Sequence, residues 1–360
     1  MMFFFKHSIL RLIRMSFLGR SKFYFQIRYL VRRKKVDEII NRFCGTDISQ
    51  ERRMHLREMM REAFINYRWE FDEFFLFHFE TIDEKKRKSF VPEYDKNTFA
   101  ESINNEKFAN IFLDKWTTYK YFYKYFRRDV YNIRGEKSLD NKDFVTFIQK
   151  HPSFIMKPVF GTRGAGIKVI KVNGIEDAKS KLKKIINDGT SAIVLEELIQ
   201  QDSRLAAFHK ESCNTIRIIT LRFDDRVEIL HSFLRLGRGS SVVDNAGAGG
   251  IMANIDIKTG KVYAACDEMG KTYIEHPESK LPIIGYVLPQ WEEAMRVARD
   301  LAMVLPEVRY VGWDLALSIN GWVMIEGNDE GQFVFQYPAQ EGFRDRMNSI
   351  LRELGKKEIK

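Results

Sequence analysis

Two short apolar runs near the C-terminus, residues 311–317 and 321–325, are joined by Asn320-Gly321. Asn-Gly between apolar runs is a strong hairpin signal, because both residues accept positive φ and the tight turn they make matches the twist of paired strands. The segment therefore predicts a β-hairpin. Its polar residues fall at telling places in VGWDLALSINGWVMIEGNDEG: Asp314 lies in the first run, and Glu326 and Asn328 close the second. Folded back, a carboxylate on one strand faces a carboxylate and an amide at the end of the other. Three hard oxygen donors at a sheet end suit Mg²⁺, which takes a few protein oxygens and keeps positions for water and phosphate. A hairpin with merely polar ends would look the same, so the upstream chain has to decide.

That chain falls into regions of different character. Residues 1–95 are rich in Arg, Lys, Phe and Met, contain a single proline (Pro92), and keep apolar residues at helical spacing over stretches such as 51–79. A helical N-terminal region is expected, with Phe71, Phe74, Phe75, Phe77 and Phe79 as core. The opening MMFFF is broken by Lys6 and His7 and followed by Arg11, Arg14, Arg20 and Lys22. It lacks the charge order and cleavage site of a secretory signal. It reads as a basic amphipathic helix, packed on the protein's own body or else resting on an anionic membrane face. No apolar run approaches the ~18 residues needed to span a bilayer.

Residues 96–150 continue helical and mixed, with turns at Asn104-Asn105 and Arg134-Gly135. After His151-Pro152, β-branched runs at 154–156, 167–172, 192–195, 215–223, 227–236 and 251–257 alternate with Gly, Asn and Asp. Helical patterns at 176–186 and 290–304 are interspersed. The expected class is α+β, with the body starting near residue 150.

Lys and Arg exceed Asp and Glu by 59 to 49, a net charge of +10 that favours anionic partners. Nucleic acid is not expected among them, since no recognition motif or aromatic-basic sheet is present. Cys44, Cys213 and Cys266 are scattered, which argues against a zinc site or disulfide framework and for a reducing cytosol.

Phosphate handling is suggested by Phe154-Ile155-Met156-Lys157-Pro158 followed by Val159-Phe160-Gly161-Thr162-Arg163-Gly164-Ala165-Gly166. A strand ends in a lysine and a glycine-rich loop follows, whose backbone N–H groups can approach a ligand closely. It is not a P-loop, because no Lys-Ser/Thr closes it. The run 192–195 then ends in Glu196-Glu197-Leu198, where backbone can meet an adenine edge while a carboxylate, Glu197 or Asp202, accepts from ribose hydroxyls. Arg217 and Arg235 sit inside strand-like runs, where an unpaired charge is costly. They are candidates for a transferring phosphate or a substrate carboxylate, both of which Arg binds bidentately. Otherwise they point outward or pair with Asp224 or Asp225. The flexible loop 244–250 could cover an acceptor, and His231 and His276 carry less weight.

In this order the pieces resemble the ATP-grasp superfamily: Asp114-Lys115, Lys157 with its glycine loop, the Glu196-Glu197 hinge, then Asp314, Glu326 and Asn328. More narrowly the chain resembles the sugar-transfer-associated ATP-grasp family, related to α-L-glutamate ligases. Asn214-Thr215-Ile216-Arg217, Leu234-Arg235-Leu236-Gly237, Val243-Asp244-Asn245, Gly249-Gly250-Ile251, His276-Pro277, Gly312-Trp313-Asp314 and Glu326-Gly327-Asn328 carry that likeness, over roughly residues 96–345. It implies an ATP-grasp domain over 96–360, with a smaller lid lobe at about 152–198 and a metal-binding lobe at 199–360, clasping ATP between them. It implies that Lys115 and Lys157 hold phosphates and that Gly161, Thr162, Arg163, Gly164 and Gly166 close over them. Glu196, Glu197 and Leu198 would meet adenine, Glu197 or Asp202 the ribose, and Asp314, Glu326 and Asn328 Mg²⁺. Arg217 and Arg235 would be the catalytic pair.

The implied activity joins a carboxylate to an amine through an acyl phosphate, with an amino acid and a cell-surface sugar as the substrates suggested by the family's name. The alternatives are a kinase acting on a sugar-like alcohol, with the same ATP half-site, and a nucleotide-binding adaptor of membrane-associated polysaccharide machinery.

Overall fold

The computed structural model describes residues 11, 13–16, 18–161, 165–189, 192–241, 244, 247 and 249–359. Residues 1–10 of the opening basic segment lie outside them. Two antiparallel sheets and an N-terminal set of helices make up the described chain.

The smaller sheet has strands β1 (Val130–Arg134), β2 (Ser153–Pro158), β3 (Lys168–Lys171) and β4 (Ala192–Glu197), in the order β1-β4-β2-β3. Its first strand therefore comes ahead of residue 152. Alternation along β4 sends Ile193 and Leu195 into a core with Phe144 and Phe147 of the helix Lys142–Lys150 and Ala178 and Leu182 of the helix Ile175–Asn187. The opposite parity carries Val194 and Glu196. Lys157 pairs in register with Val194, so Lys157 and Glu196 share the face turned away from those helices.

The larger sheet comprises β5 (Thr215–Arg222), β6 (Val227–Leu236), β7 (Ile251–Ile255), β8 (Val262–Asp267), β9 (Tyr310–Ser318) and β10 (Gly321–Asn328), ordered β10-β9-β5-β6-β7-β8. The hairpin forms one residue earlier than expected: Ile319 and Asn320 make the turn, and Gly321, at φ +93°, already pairs with Ser318 as the first residue of β10. Ile216, Ile218, Leu234, Trp313, Leu315, Trp322 and Met324 pack beneath the helices Lys115–Phe126 and Trp291–Val304. Because side chains alternate, the residues between them face the other way. These include Arg217, Arg235 and Asp314.

Of the N-terminal helices, Lys22–Arg32, Gln50–Asn66 and Glu84–Ser89 start where the sequence supplies caps, while Lys34–Cys44 follows the first directly with no side-chain cap. Ser21, Ser49 and Asp83 each accept from the N–H three residues on. Their core is aromatic, built of Phe25, Phe64, Trp69, Phe71, Phe74, Phe77, Phe79, Phe90 and Tyr94, while Phe75 is partly buried at its edge. The helix Glu93–Ile103 runs through residue 95 into a second core, placing Phe99 and Ile103 against Ile219, Leu221 and Tyr310. Its fully buried Asp95 meets Arg68 at 3.1 Å and Arg344 at 2.7 Å, tying the N-terminal helices to the C-terminal helix Arg344–Glu353. Gln336 exchanges two further hydrogen bonds with the Val91 backbone. Among the described residues no helix is long and apolar enough to cross a membrane.

Removing one member of a buried ion cluster leaves the others uncompensated. Asp95→Ala should therefore lower unfolding stability by about 3 kcal/mol in chemical denaturation, with the N-terminal aromatic core loosening together with the C-terminal helix.

Candidate active site

Register alone assembles the charged face of the larger sheet. Arg217 lies opposite Asp314 across β5–β9, Asp314 opposite Glu326 across β9–β10, and Arg235 opposite Thr215 across β5–β6. Residues up to about 110 positions apart in sequence thus share one patch. Asp314 has no solvent exposure. Arg217 donates to it through Nε at 2.5 Å and Nη2 at 2.7 Å, and Arg235 Nη2 donates at 2.7 Å. Burial opposes ionisation, but the two guanidiniums outweigh it and hold the Asp314 carboxyl below the ordinary aspartate range. The arginines do not pair with Asp224 or Asp225, which meet Arg309 and Arg226 at the surface.

Glu326 is different. Its side chain is 43% exposed, and Arg217 reaches it only at 4.0 Å. Desolvation beside the sheet and the neighbouring Asp314 charge push its carboxyl upward, against the pull of Arg217, Arg235 and Lys157. Asn328 leans towards Glu326 at 3.5 Å. The pair therefore offers a carboxylate and an amide oxygen that guanidiniums do not saturate. Asp314 Oδ1 accepts one guanidinium bond and retains further lone-pair capacity. A hard divalent cation such as Mg²⁺ fits this donor set. Gly327 between them leaves no room for a side chain, since a Cβ would come 2.5 Å from the Phe112 ring.

Across the cleft, Lys157 Nζ pairs with Glu196 at 2.8 Å, both buried. Arg128, which the sequence gave no reason to single out, donates to Glu196 through Nε at 2.9 Å and through Nη1 to the Met324 carbonyl at 2.6 Å. One side chain thus connects the smaller sheet to the hairpin of the larger. Lys115 opens its helix because Asp114 caps it, accepting from the Thr117 N–H at 2.8 Å. Lys115 Nζ donates to the Gly161 carbonyl at 2.8 Å. Burial brings the Lys115 ammonium below its usual range, against the attraction of Glu326, which lies within electrostatic reach of both lysines. Gly161 (φ +137°) and Gly166 (φ +75°) have backbone conformations that side chains rarely adopt, and a Cβ at Gly166 would strike Pro158. Thr162, Arg163 and Gly164 lie outside the described residues.

Beyond β4 the chain crosses to the hairpin, where Gln201 bridges Ser318 and the Ile319 N–H donates to Gln200. Leu198 is exposed on this crossing. The Glu196 side chain is committed to Lys157 and Arg128. Glu197 accepts from the Asp129 N–H at 3.0 Å, next to the His151–Asp129 contact at 2.9 Å. Asp202 caps the short helix Ser203–Ala206 and pairs with Arg204 at 2.8 Å.

Beside the patch stand Asp244, Asn214 and His276, which carry the family likeness in sequence, with His209, which does not. Asp244 accepts from the Thr215 N–H at 2.8 Å and lies 3.7 Å from Arg235, so Arg235 stands between two carboxylates. Asn214 accepts from the Gly237 N–H at 3.0 Å, while His276 and His209 contact the Gly237 and Gly239 carbonyls at 2.9 and 2.8 Å. His231 sits elsewhere, buried against Phe335, and burial holds its imidazole down to about 3.

Burial works against Glu196 ionising, yet Arg128 and Lys157 bring its carboxyl from 4.5 to about 2. A carboxylate depressed in the folded state stabilises fully above its unfolded value, and that contribution fades as pH falls towards the folded one. Glu196→Gln should thus cost on the order of 3 kcal/mol at neutral pH. The variant should also lose less stability than the parent between pH 4.5 and about 2, as read by denaturation at stepped pH.

No curated protein sequence matches the chain. Among solved structures, it is similar to PurK, N5-carboxyaminoimidazole ribonucleotide synthetase, in its ADP complex (11% identity, TM-score 0.41, 64% of this chain and 48% of that one). It is also similar to D-alanyl-alanine synthetase A from Vibrio cholerae (9% identity, TM-score 0.40, 67% and 61%). A third is the D-cycloserine synthetase DcsG (11% identity, TM-score 0.37, 66% and 68%). The chain thus spans about half to two thirds of the length of these structures. The model of the sugar-transfer associated ATP-grasp family matches residues 94–352, most of the chain, and the protein belongs to that family.

Proposed function

We propose that the protein uses ATP and Mg²⁺ to join a carboxylate to an amine, in the modification of a cell-surface sugar or its precursor at the cytoplasmic side of the membrane. The observation that carries this reading is the facing of two lysines, Lys115 and Lys157, against the patch of Arg217, Arg235, Asp314, Glu326 and Asn328. Phosphoryl transfer asks a protein mainly for positioning and charge neutralisation, and this is an array of fixed charges around a cleft.

In this reading the lysines hold the phosphates and Gly161 and Gly166 let the loop backbone close over them. The backbone of Glu196 to Leu198 meets adenine, and Glu197 or Asp202 accepts from ribose. Mg²⁺, held by Glu326, Asn328 and Asp314, would neutralise phosphate charge when bound. Arg217 and Arg235 keep their planes fixed on Asp314 and present remaining N–H groups to the transferring phosphoryl group or the substrate carboxylate. The carboxylate oxygen attacks the γ-phosphorus and ADP departs. The amine then attacks the acyl carbon and inorganic phosphate departs, with the amine proton passing to solvent. Excluding water protects the mixed anhydride between those steps.

Purified protein should release ADP and phosphate from ATP only when both an acid and an amine acceptor are supplied, checked by screening amino acids against amino sugars for a mass gain. A stable phosphate ester in place of an amide would make it a kinase, and AMP release would refute both. Lys157→Ala should raise KM for ATP, and Glu326→Gln should lower kcat by about 10²–10³-fold. Glu326→Gln is the cleaner test of the acidic patch, because Asp314→Asn also weakens the partnering of two buried arginines and costs stability.

A further inference from the structure

The helix Lys22–Arg32 is packed with its arginines inward and its aliphatic side chains outward. Arg28 lies 5.3 Å from the Phe25 ring and 5.1 Å from that of Tyr94, and Arg32 lies 5.6 Å and 5.5 Å from Phe64 and Phe71. Both guanidiniums pair with Glu70, at 3.1 and 2.5 Å. The outward face carries Phe23, Ile27, Leu30 and Val31, at 61%, 46%, 58% and 76% exposure. Their spacing of three and four residues makes one continuous stripe. Leu18, on the turn before the helix, is also exposed. Isolated exposed apolar residues are ordinary, but a whole helical stripe facing water is not.

Charge surrounds the stripe. Residues 18–35 contain seven Lys or Arg and no Asp or Glu. Lys22, Arg33, Lys34 and Lys35 are exposed at the two ends of the helix, and no ion pair involves them among the described residues. An apolar stripe lying flat and bordered by cations is complementary to an anionic bilayer, where the stripe enters the headgroup–acyl boundary and the cations meet lipid phosphates. A second copy fits poorly, because a symmetric contact would bring these cations against their own copies with no acid between them.

We propose that the outward face of the helix Lys22–Arg32 docks the protein on anionic lipid. The inference stands apart from the ligase reading, because the binding it predicts needs neither ATP nor substrate.

The test is sedimentation of the full chain with vesicles of phosphatidylcholine, alone or blended with phosphatidylglycerol, at low and high salt. The protein should pellet with blended vesicles, stay in solution with neutral ones, and be released by salt. Ile27→Ser combined with Leu30→Ser should weaken vesicle partitioning at least about tenfold without shifting the melting temperature, since both positions are solvent-exposed. Lys34→Gln combined with Lys35→Gln should flatten the salt dependence. Failure to pellet with blended vesicles overturns the proposal, as does equal pelleting of the Ile27→Ser/Leu30→Ser variant. A dimer in light scattering that Leu30→Ser dissociates, without vesicle binding, would assign the face to a second copy and overturn it too.

Discussion

A carboxylate sealed from water must find cations or give up its charge, and Asp314 finds two. Its pairing with Arg217 and Arg235 is the point at which three central strands of the larger sheet, β9, β5 and β6, agree on register. A slip of one residue in any of them would turn a charged side chain into the apolar core beneath Trp291–Val304. The same pairing fixes the planes of the two guanidiniums. The stability of the sheet and the proposed chemistry therefore draw on one set of contacts.

That sharing explains the different settings of two acids on adjacent strands. Asp314 is sealed from water and paired with two arginines, with capacity left on Oδ1, whereas Glu326, directly across the ladder, is 43% exposed and has only a distant arginine. In the proposed reaction both kinds have a use. Asp314 fixes the arginines and can still offer Oδ1, while Glu326 is open to a ligand. Asp244 repeats the first role on the far side of Arg235, carried by a loop that Asn214, His209 and His276 anchor at its base.

Much of this was legible in sequence, for physical reasons that also mark where legibility stopped. The hairpin announced itself through Asn320-Gly321, most strands followed from β-branched runs, and the helices Ile175–Asn187 and Trp291–Val304 from helical spacing. The strand β1 did not, because Val130-Tyr131-Asn132-Ile133-Arg134 is short and follows a lysine- and tyrosine-rich helix. Nor did β8, whose middle is Ala264-Ala265-Cys266 and carries little β preference. The pairing of Arg217 and Arg235 stayed open, since nearby Asp224 and Asp225 were available locally and the true partner lies across a non-local register. Arg128 had no motif at all, as its importance comes from where its side chain lands. The direction of the helix Lys22–Arg32 was equally hidden: only the opening segment up to Lys22 read as amphipathic, and nothing showed that Glu70 and four aromatic rings would draw the arginines inward.

Arg128 has one more implication. It holds Glu196 of the smaller sheet and the Met324 carbonyl of the larger one at the same time, beside the crossing at 198–202 where the chain itself passes between them. Covalent chain and a charged side chain thus fasten the same joint. The placing of the two sheets along this edge is therefore set twice over, once by the polypeptide and once by a guanidinium.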